Sequence, residues 1–387
     1  MKGKAIVVGM TLALVSLGLI FLGCGGSQEL APYVVGGIFS ISGPASYLGE
    51  SERNSLQMVA DEVNAEGGID GHPLKLIIYN SEGDVTKARL YATRLALDKN
   101  ILCVIGPSLT QTSMAALEIT QKAKVPLISC AAGVNITSPV KERHWVFQTA
   151  QTDRMAVELI YQYLQKHHLN KVAILTVSTG FGVSGKHQLL DLAPRHDIQV
   201  VGQEVFGEKD KDMTSQLTTL RETPAQVIIC WGTGPAPALV AKDMKELGMN
   251  LPLIQSHGAA SKNFIELAGY AAEGIIMPAG KLAIWKQLPD TDPQKAVCKE
   301  YAEKYTAKFK TPESGFGGYA YDALRMLDLT LAKVGNNRAK IRDGIENTKN
   351  FVGVSGVFNM SPEDHNGLTP AALVLVKIHN GEFQLID

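Results

Sequence analysis

Apolar positions along the chain follow two rhythms. Short apolar runs at Tyr33–Ser40, Pro73–Tyr79, Leu102–Ile105 and Val125–Ile128 are bounded by Gly, Pro and small hydroxyl residues, as buried strands are. Between them the spacing lengthens to i, i+3, i+4, i+7: Leu56, Val59, Ala60 and Val63 share one helical face, and Ala88, Tyr91, Ala92 and Leu95 another. Gly67-Gly68 stops the first of these helices. The order to Ile128 is therefore βαβαβαβ, which predicts a parallel, doubly wound sheet with helices on both faces. After Val146–Ala150 the rhythm begins again. Strands are expected at Lys171–Val177, Ile198–Phe206, Ala225–Trp231 and Leu251–Gln255, with helices between them, and Glu273–Met277 is expected to carry the chain back out. Helices then dominate (Pro293–Phe309, Tyr319–Val334, Arg338–Thr348), and apolar segments Phe351–Phe358 and Ala371–Ile378 close the chain. Two α/β sets of this kind predict two lobes facing each other across a cleft.

The stretch Leu102–Asn135 organises the first set. Its two parallel strands deliver their carboxyl ends to one edge of the sheet, where open α/β sheets hold ligands. Gly106-Pro107 breaks the first strand and Ser108, Thr110, Thr112 and Ser113 follow; the second ends in Ser129-Cys130-Ala131-Ala132-Gly133. Hydroxyls and unpaired helix N–H groups at such a turn suit a small anion. Ordinary helix capping accounts for the same residues without a ligand.

Composition narrows the class. The chain has 387 residues, 45% hydrophobic, and a net charge of −1, enough for two domains and without the basic excess of a nucleic-acid binder. Lys2 and Lys4 precede an uncharged stretch, Ala5–Leu22, that ends at Gly23-Cys24, as an export signal does. Phe21-Leu22-Gly23-Cys24 resembles the bacterial lipoprotein cleavage box, with Phe21 where Leu is usual. That resemblance implies a signal peptide over residues 1–23, a lipid on the Cys24 thiol and a tether to residue 32. An uncleaved membrane anchor is the alternative, and either arrangement places the body in the cell envelope, outside the cytoplasm. Removing Lys2 and Lys4 leaves 35 basic against 38 acidic side chains, a net of −3. Cys103, Cys130, Cys230 and Cys298 lack C-x-x-C spacing and histidines at metal distance, so buried thiols are expected and no metal site or cofactor.

Several landmarks together resemble the solute-binding proteins of branched-chain amino acid ABC transporters. They are Ser42-Gly43-Pro44, the stretch Val63-Asn64-Ala65-Glu66-Gly67-Gly68-Ile69-Asp70-Gly71-His72-Pro73-Leu74, Ile105-Gly106 with its hydroxyl loop, and Val125-Pro126-Leu127-Ile128-Ser129. The resemblance implies a Venus-flytrap, type I periplasmic binding fold with three interlobe crossovers, near Ala150, Met277–Gly280 and Ser355–Phe358. Lobe 1 is then 33–149 plus 279–354, and lobe 2 is 150–278 plus 355–387. It also implies a carboxylate seat on Thr110, with Ser108 nearby, and on Ala131, Ala132 and Gly133, where Gly133 replaces a frequent Thr. The aromatic walls map to Leu48 (Tyr47 adjacent), Phe181 and Phe316, and the opposing Gly232-Thr233-Gly234 is small, placing Thr233 and Gly234 at the cleft. His257 stands where many amino-acid binders of this family carry the carboxylate that holds the ligand ammonium.

A buried ammonium without an anion is costly, and histidine cannot supply one. It can donate to a carboxylate or phenol. A ligand lacking an α-amino group, such as an aromatic or aliphatic acid, is one reading; the other has His257 packing at a strand end while an acid elsewhere serves an ammonium. Gly180-Phe181-Gly182-Val183-Ser184-Gly185 fits G-x-G-x-x-G with Glu204 downstream, the pattern of a dinucleotide enzyme, though alone it is weak. The expected function is a monomeric, lipid-anchored, non-enzymatic receptor that hands a small carboxylate to an ABC permease of the inner membrane. A ligand-sensing subunit for a signalling receptor is the alternative, and an extracytoplasmic enzyme a remote one.

Overall fold

The computed structural model describes Gly3 and residues 30–386. Apart from Gly3, the expected leader, the expected lipidation site Cys24 and the tether up to residue 29 lie outside the described residues. The first sheet contains β1 (Tyr33–Phe39), β2 (Leu74–Asn80), β3 (Ile101–Ile105), β4 (Leu127–Ser129) and β5 (Val146–Gln148). Its order is β2-β1-β3-β4-β5, and every pairing is parallel. The second contains β6 (Lys171–Val177), β7 (Gln199–Phe206), β8 (Val227–Trp231), β9 (Leu253–Gln255) and β10 (Ile276–Gly280). A hairpin of β11 (Phe351–Val352) and β12 (Val357–Phe358) stands apart, and β13 (Leu373–His379) and β14 (Glu382–Ile386) complete the second sheet in the order β14-β13-β10-β9-β8-β6-β7. There β13 runs antiparallel to both β10 and β14, and the remaining pairs are parallel.

Both faces of each sheet are covered, which is why the parallel strands read as nearly continuous apolar runs. Val35 and Phe39 of β1 enter one core while Val34 and Ile38 enter another on the opposite face. In the second sheet Ala173, Leu175 and Val177 face one side of β6, and Val172 and Ile174 the other. Cys103, Cys130, Cys230 and Cys298 are free and buried in these cores. No helix among the described residues is long and apolar enough to cross a membrane.

The chain passes between lobes in three places, two of them displaced from the expected boundaries. The first passage follows β5, near Ala150. The segment Met277–Gly280, expected as a crossover, is strand β10: Met277 and Ala279 are buried in the second core, and the strand pairs with β13. The chain therefore stays with lobe 2 past 279: beyond Gly280, Ile284 and Leu288 still pack in the second core, while Leu282 packs in the first. It does not return at 355, because Phe358, Met360, Leu368 and Ala372 all pack in the first core, so the return falls just before Leu373. The junction is knit by side chains: Asn366 Nδ2 donates to the carbonyls of Gln148 and Ala150, at 3.1 and 2.9 Å.

The G-x-G-x-x-G turn is packed solid. The helix Gly180–Leu192 starts at its first glycine. A Cβ on Gly182 would sit 1.7 Å from Val177 O, and one on Gly185 2.1 Å from Trp231 Nε1. The glycines serve close approach of helix to strands, and the space beneath the helix is filled by an indole. Gly185→Ala is expected to lower stability by ~1–3 kcal/mol through overpacking against Trp231, measured by urea unfolding; an unchanged midpoint would mean that the helix does not lie this close.

Candidate functional site

The carboxyl edges of the two sheets face each other across a small interlobe cavity of about 30 Å³. From lobe 1, β3 ends at Gly106, whose φ of +93° and approach to Ile38 O (2.3 Å from a would-be Cβ) admit only glycine. That turn carries Ser108 and Leu109 onto the cavity wall and opens the helix Thr110–Lys122, whose N-cap Leu109 supplies no side-chain acceptor. The turn after β4 adds Cys130, Ala131 and Ala132. Leu48 comes from the helix Ser46–Ala65, and Phe316 and Tyr319 from the helix Gly315–Val334. Lobe 2 contributes Phe181 from its first helix after β6, Thr233 after β8, and His257 and Gly258 after β9.

Nine of the eleven residues expected at the cleft thus line one cavity. Gly133 and Gly234 do not reach the wall. A Cβ on Gly133 would collide with Thr110 Cγ2 at 2.4 Å, so the glycine is what lets this turn pack against Thr110, and a Thr there would need the turn to move. Gly234 instead takes part in closure: its N–H donates to Tyr47 Oη at 3.0 Å, and that hydroxyl donates to Gly258 O at 3.1 Å. One phenol from lobe 1 thereby joins two loops of lobe 2. Gly180 meets Gln111 of lobe 1, a Cβ there falling 3.1 Å from Gln111 N. The lobes are closed.

The wall is apolar and aromatic. His257 lies edge-on to both Phe181 and Trp231, with ring centroids 5.5 and 5.7 Å away, and Phe316 stands edge-on to Tyr47 at 5.4 Å. Burial pushes the His257 imidazolium down to about 4, so the ring is neutral at pH 7, with one nitrogen a donor and the other an acceptor. Neither ring nitrogen makes a well-formed hydrogen bond, although the Gln151 backbone lies close enough to favour the imidazolium slightly, and the buried Thr110 Oγ1 has no partner. A second chamber, lined by Gln151, Gly280 and Ser355 among others, shares His257, Phe316 and Tyr319 with the first. Tyr319 Oη donates to Gln151 Oε1 at 2.8 Å, and Gln151 Nε2 to Ser355 O at 2.6 Å, while the Ser355 hydroxyl lies beside the Asp322 carboxyl. No Asp, Glu, Lys or Arg lines either chamber. No cluster able to hold a metal occurs among the described residues.

Glu52 and Tyr319 are the notable residues that sequence reasoning missed. Glu52 is fully buried directly behind Ser108, which donates to its Oε2. Four residues after Leu48 and four before Leu56, it falls on the inward stripe of its helix, a signal available in the spacing. Tyr319 lies three residues after Phe316, on the same helical face.

A family model described as periplasmic binding protein matches residues 32–382. The chain belongs to the periplasmic binding protein family. Among curated relatives of this binding protein, it is 23% identical over 297 residues to the leucine-, isoleucine-, valine-, threonine- and alanine-binding protein of Pseudomonas aeruginosa, covering 76% of each chain. It is 22% identical over 334 residues to the Leu/Ile/Val-binding protein of Escherichia coli, covering 85% of each. Among solved structures, it superposes on an extracellular ligand-binding receptor from Rhodopseudomonas palustris HaA2 with a TM-score of 0.86 at 26% identity, over 92% of this chain and 100% of that one. The fold is also that of the branched-chain amino acid transporter substrate-binding protein LivJ from Streptococcus pneumoniae, solved with isoleucine (TM-score 0.80, 24% identity, 91% and 98% coverage). The family binds solutes and is not enzymatic, which removes the dinucleotide-enzyme reading.

Tyr47→Phe keeps the ring against Phe316 but deletes the two hydrogen bonds of the phenol to lobe 2. It is expected to favour the open form, raising the radius of gyration of the ligand-free protein in solution scattering and weakening ligand binding roughly tenfold. Unchanged scattering and affinity would mean that the phenol does not hold the lobes together.

Proposed function

We propose that this periplasmic binding protein is the extracytoplasmic receptor of an ABC importer and captures a small carboxylic acid without an α-amino group. The observation that carries the reading is the mismatch within the cleft: unpaired hydrogen-bonding atoms on Thr110 and His257 face an otherwise apolar space in which no charged residue stands. A ligand carboxylate accepting from the Thr110 hydroxyl, a His257 N–H and the uncapped N–H groups of the Thr110 helix satisfies those atoms. The ligand's apolar body then rests on Leu48, Phe181 and Phe316. An α-ammonium in the same place would meet aromatic edges, hydroxyls and a neutral imidazole, with no ionised carboxylate on the wall to offset its desolvation. The relatives named for leucine, isoleucine and valine share the fold and, with those ligands, a carboxylate end; the departure at His257 separates the proposed ligand from theirs.

In this reading the lobe bearing Thr110 binds first, and the lobe bearing Phe181 and His257 completes the cage. Closure is driven by the ligand's greater affinity for the shut form. The protein acts as a monomer, held at the membrane through a lipid on Cys24, and presents the closed form to a permease.

A thermal-shift screen tests the ligand class. At saturation, a ligand at about a hundred times its Kd adds ~2.7 kcal/mol to stability. Acids such as 4-methylpentanoate or benzoate are expected to raise Tm more than leucine or valine; stronger stabilisation by the amino acids would overturn the preference. His257→Glu is expected to move relative affinity toward leucine by roughly tenfold, by restoring a charge-assisted partner for the ammonium. No movement would mean that His257 does not meet the ligand.

A further inference from the structure

Glu52 is a carboxyl group without a counter-ion, one hydrogen bond away from the ligand space. It is 0% exposed, Ser108 donates to its Oε2, and its Oε1 has no partner. Ser108 Oγ also accepts from Ser40 N–H at 3.0 Å, while Ser108 itself stands on the cavity wall. A serine hydroxyl has one hydrogen and two lone pairs. While Glu52 is ionised, that single hydrogen is committed to Oε2, and Ser108 turns only lone-pair density toward the cavity. An anionic ligand then faces an oxygen that cannot donate, backed by a second negative charge.

We propose that capture of the anionic ligand is coupled to a proton on Glu52: the protonated carboxyl donates to Ser108 Oγ, and the Ser108 hydroxyl turns its own hydrogen toward the ligand. The inference rests on the carboxylate reading above. One proton passes from solvent to Glu52, the Ser108–Glu52 hydrogen bond reverses direction, and no covalent bond to carbon changes. Both lone pairs of Ser108 Oγ are then used, by Ser40 N–H and by Glu52, so its hydrogen has nowhere better to go than the cavity.

The groups packed around Glu52 leave this carboxyl as the one poised to titrate in mildly alkaline solution. Burial pushes Glu52 up to about 8, against the opposing pull of the Ser108 hydrogen bond. Tyr47 on its own helix, Cys130 beyond β4 and Tyr319 on the Gly315–Val334 helix are all pushed upward by burial, and so stay neutral. Asp322, on that last helix, is raised by burial to about 7 but is held by the N–H groups of Val354 and Ser355, away from the cavity wall. His257 across the cavity is neutral. The sign follows: the binding-competent form is the protonated one, so affinity is full below about pH 7 and is lost as pH rises through 8.

Calorimetric titration with 4-methylpentanoate, which has no group of its own titrating between pH 7 and 9, reads both affinity and proton transfer when run in two buffers of different ionisation heat. For the wild-type protein the expected result is a Kd about tenfold weaker at pH 9 than at pH 7, following the protonated fraction, with uptake of about one proton at pH 9. Glu52→Gln donates an amide N–H to Ser108 at every pH, so its Kd should vary less than about twofold and no proton should be taken up. Ser108→Ala should bind more weakly, again without a pH slope, since no hydroxyl remains to turn. Wild-type binding independent of pH and buffer would overturn the proton on Glu52 while leaving the carboxylate reading intact. If neither 4-methylpentanoate nor benzoate binds, both fall together.

Discussion

A buried polar atom without a partner costs about 1–3 kcal/mol, and this protein gathers several around one small interlobe space. Thr110 Oγ1 and both nitrogens of His257 lack well-formed partners within side chains that are otherwise packed in largely aromatic and aliphatic surroundings. Two sheets that met edge to edge merely to bury apolar surface would not leave these atoms stranded. The arrangement is stable in function only if something with complementary acceptors fills the space. The rest of the structure supports that condition: two doubly covered sheets present their carboxyl edges, and the Tyr47 phenol bridges from lobe 1 to two loops of lobe 2 where they meet.

The chemistry of the cavity follows from what its walls exclude. Charged side chains appear at the cleft mouth, where Glu50, Lys262 and Glu266 stand, and stop there. Inside, a ligand anion finds neutral donors, and a ligand cation finds no anion on the wall. The nearest carboxyl, Glu52, is screened by Ser108, and burial favours its neutral form. Selection between an acid and an amino acid therefore rests on desolvation of the ammonium, a larger effect than any difference in shape between two aliphatic side chains.

Much of this was legible in the chain because each element carries its own period. The alternation of apolar runs with i, i+3, i+4 stripes produced both sheets, and the small-residue turns after the strands marked the edge where Ser108, Thr110, Phe181 and His257 meet. The crossovers were less legible. Met277–Gly280 contains a proline and a glycine and reads locally as a place to change direction, yet antiparallel pairing with β13, a hundred residues away, holds it as a strand. The segment from 355 onward stays with lobe 1 because Phe358 and Met360 find their core there, a long-range fact with no local mark. Gly133 looked like a missing hydroxyl on the wall, whereas the close approach of Thr110 makes it a packing glycine. Glu52 escaped notice because a lone acid on an otherwise apolar helical stripe is read as a face boundary until its burial is seen.

The most direct test of closure around a carboxylate is a crystal structure of the protein with 4-methylpentanoate. The expected result has the carboxylate oxygens within hydrogen-bonding distance of Thr110 Oγ1 and a His257 nitrogen, the alkyl chain against Leu48, Phe181 and Phe316, and the Tyr47 bridge intact. A ligand bound elsewhere, or one whose carboxylate leaves Thr110 and His257 unpartnered, would contradict it.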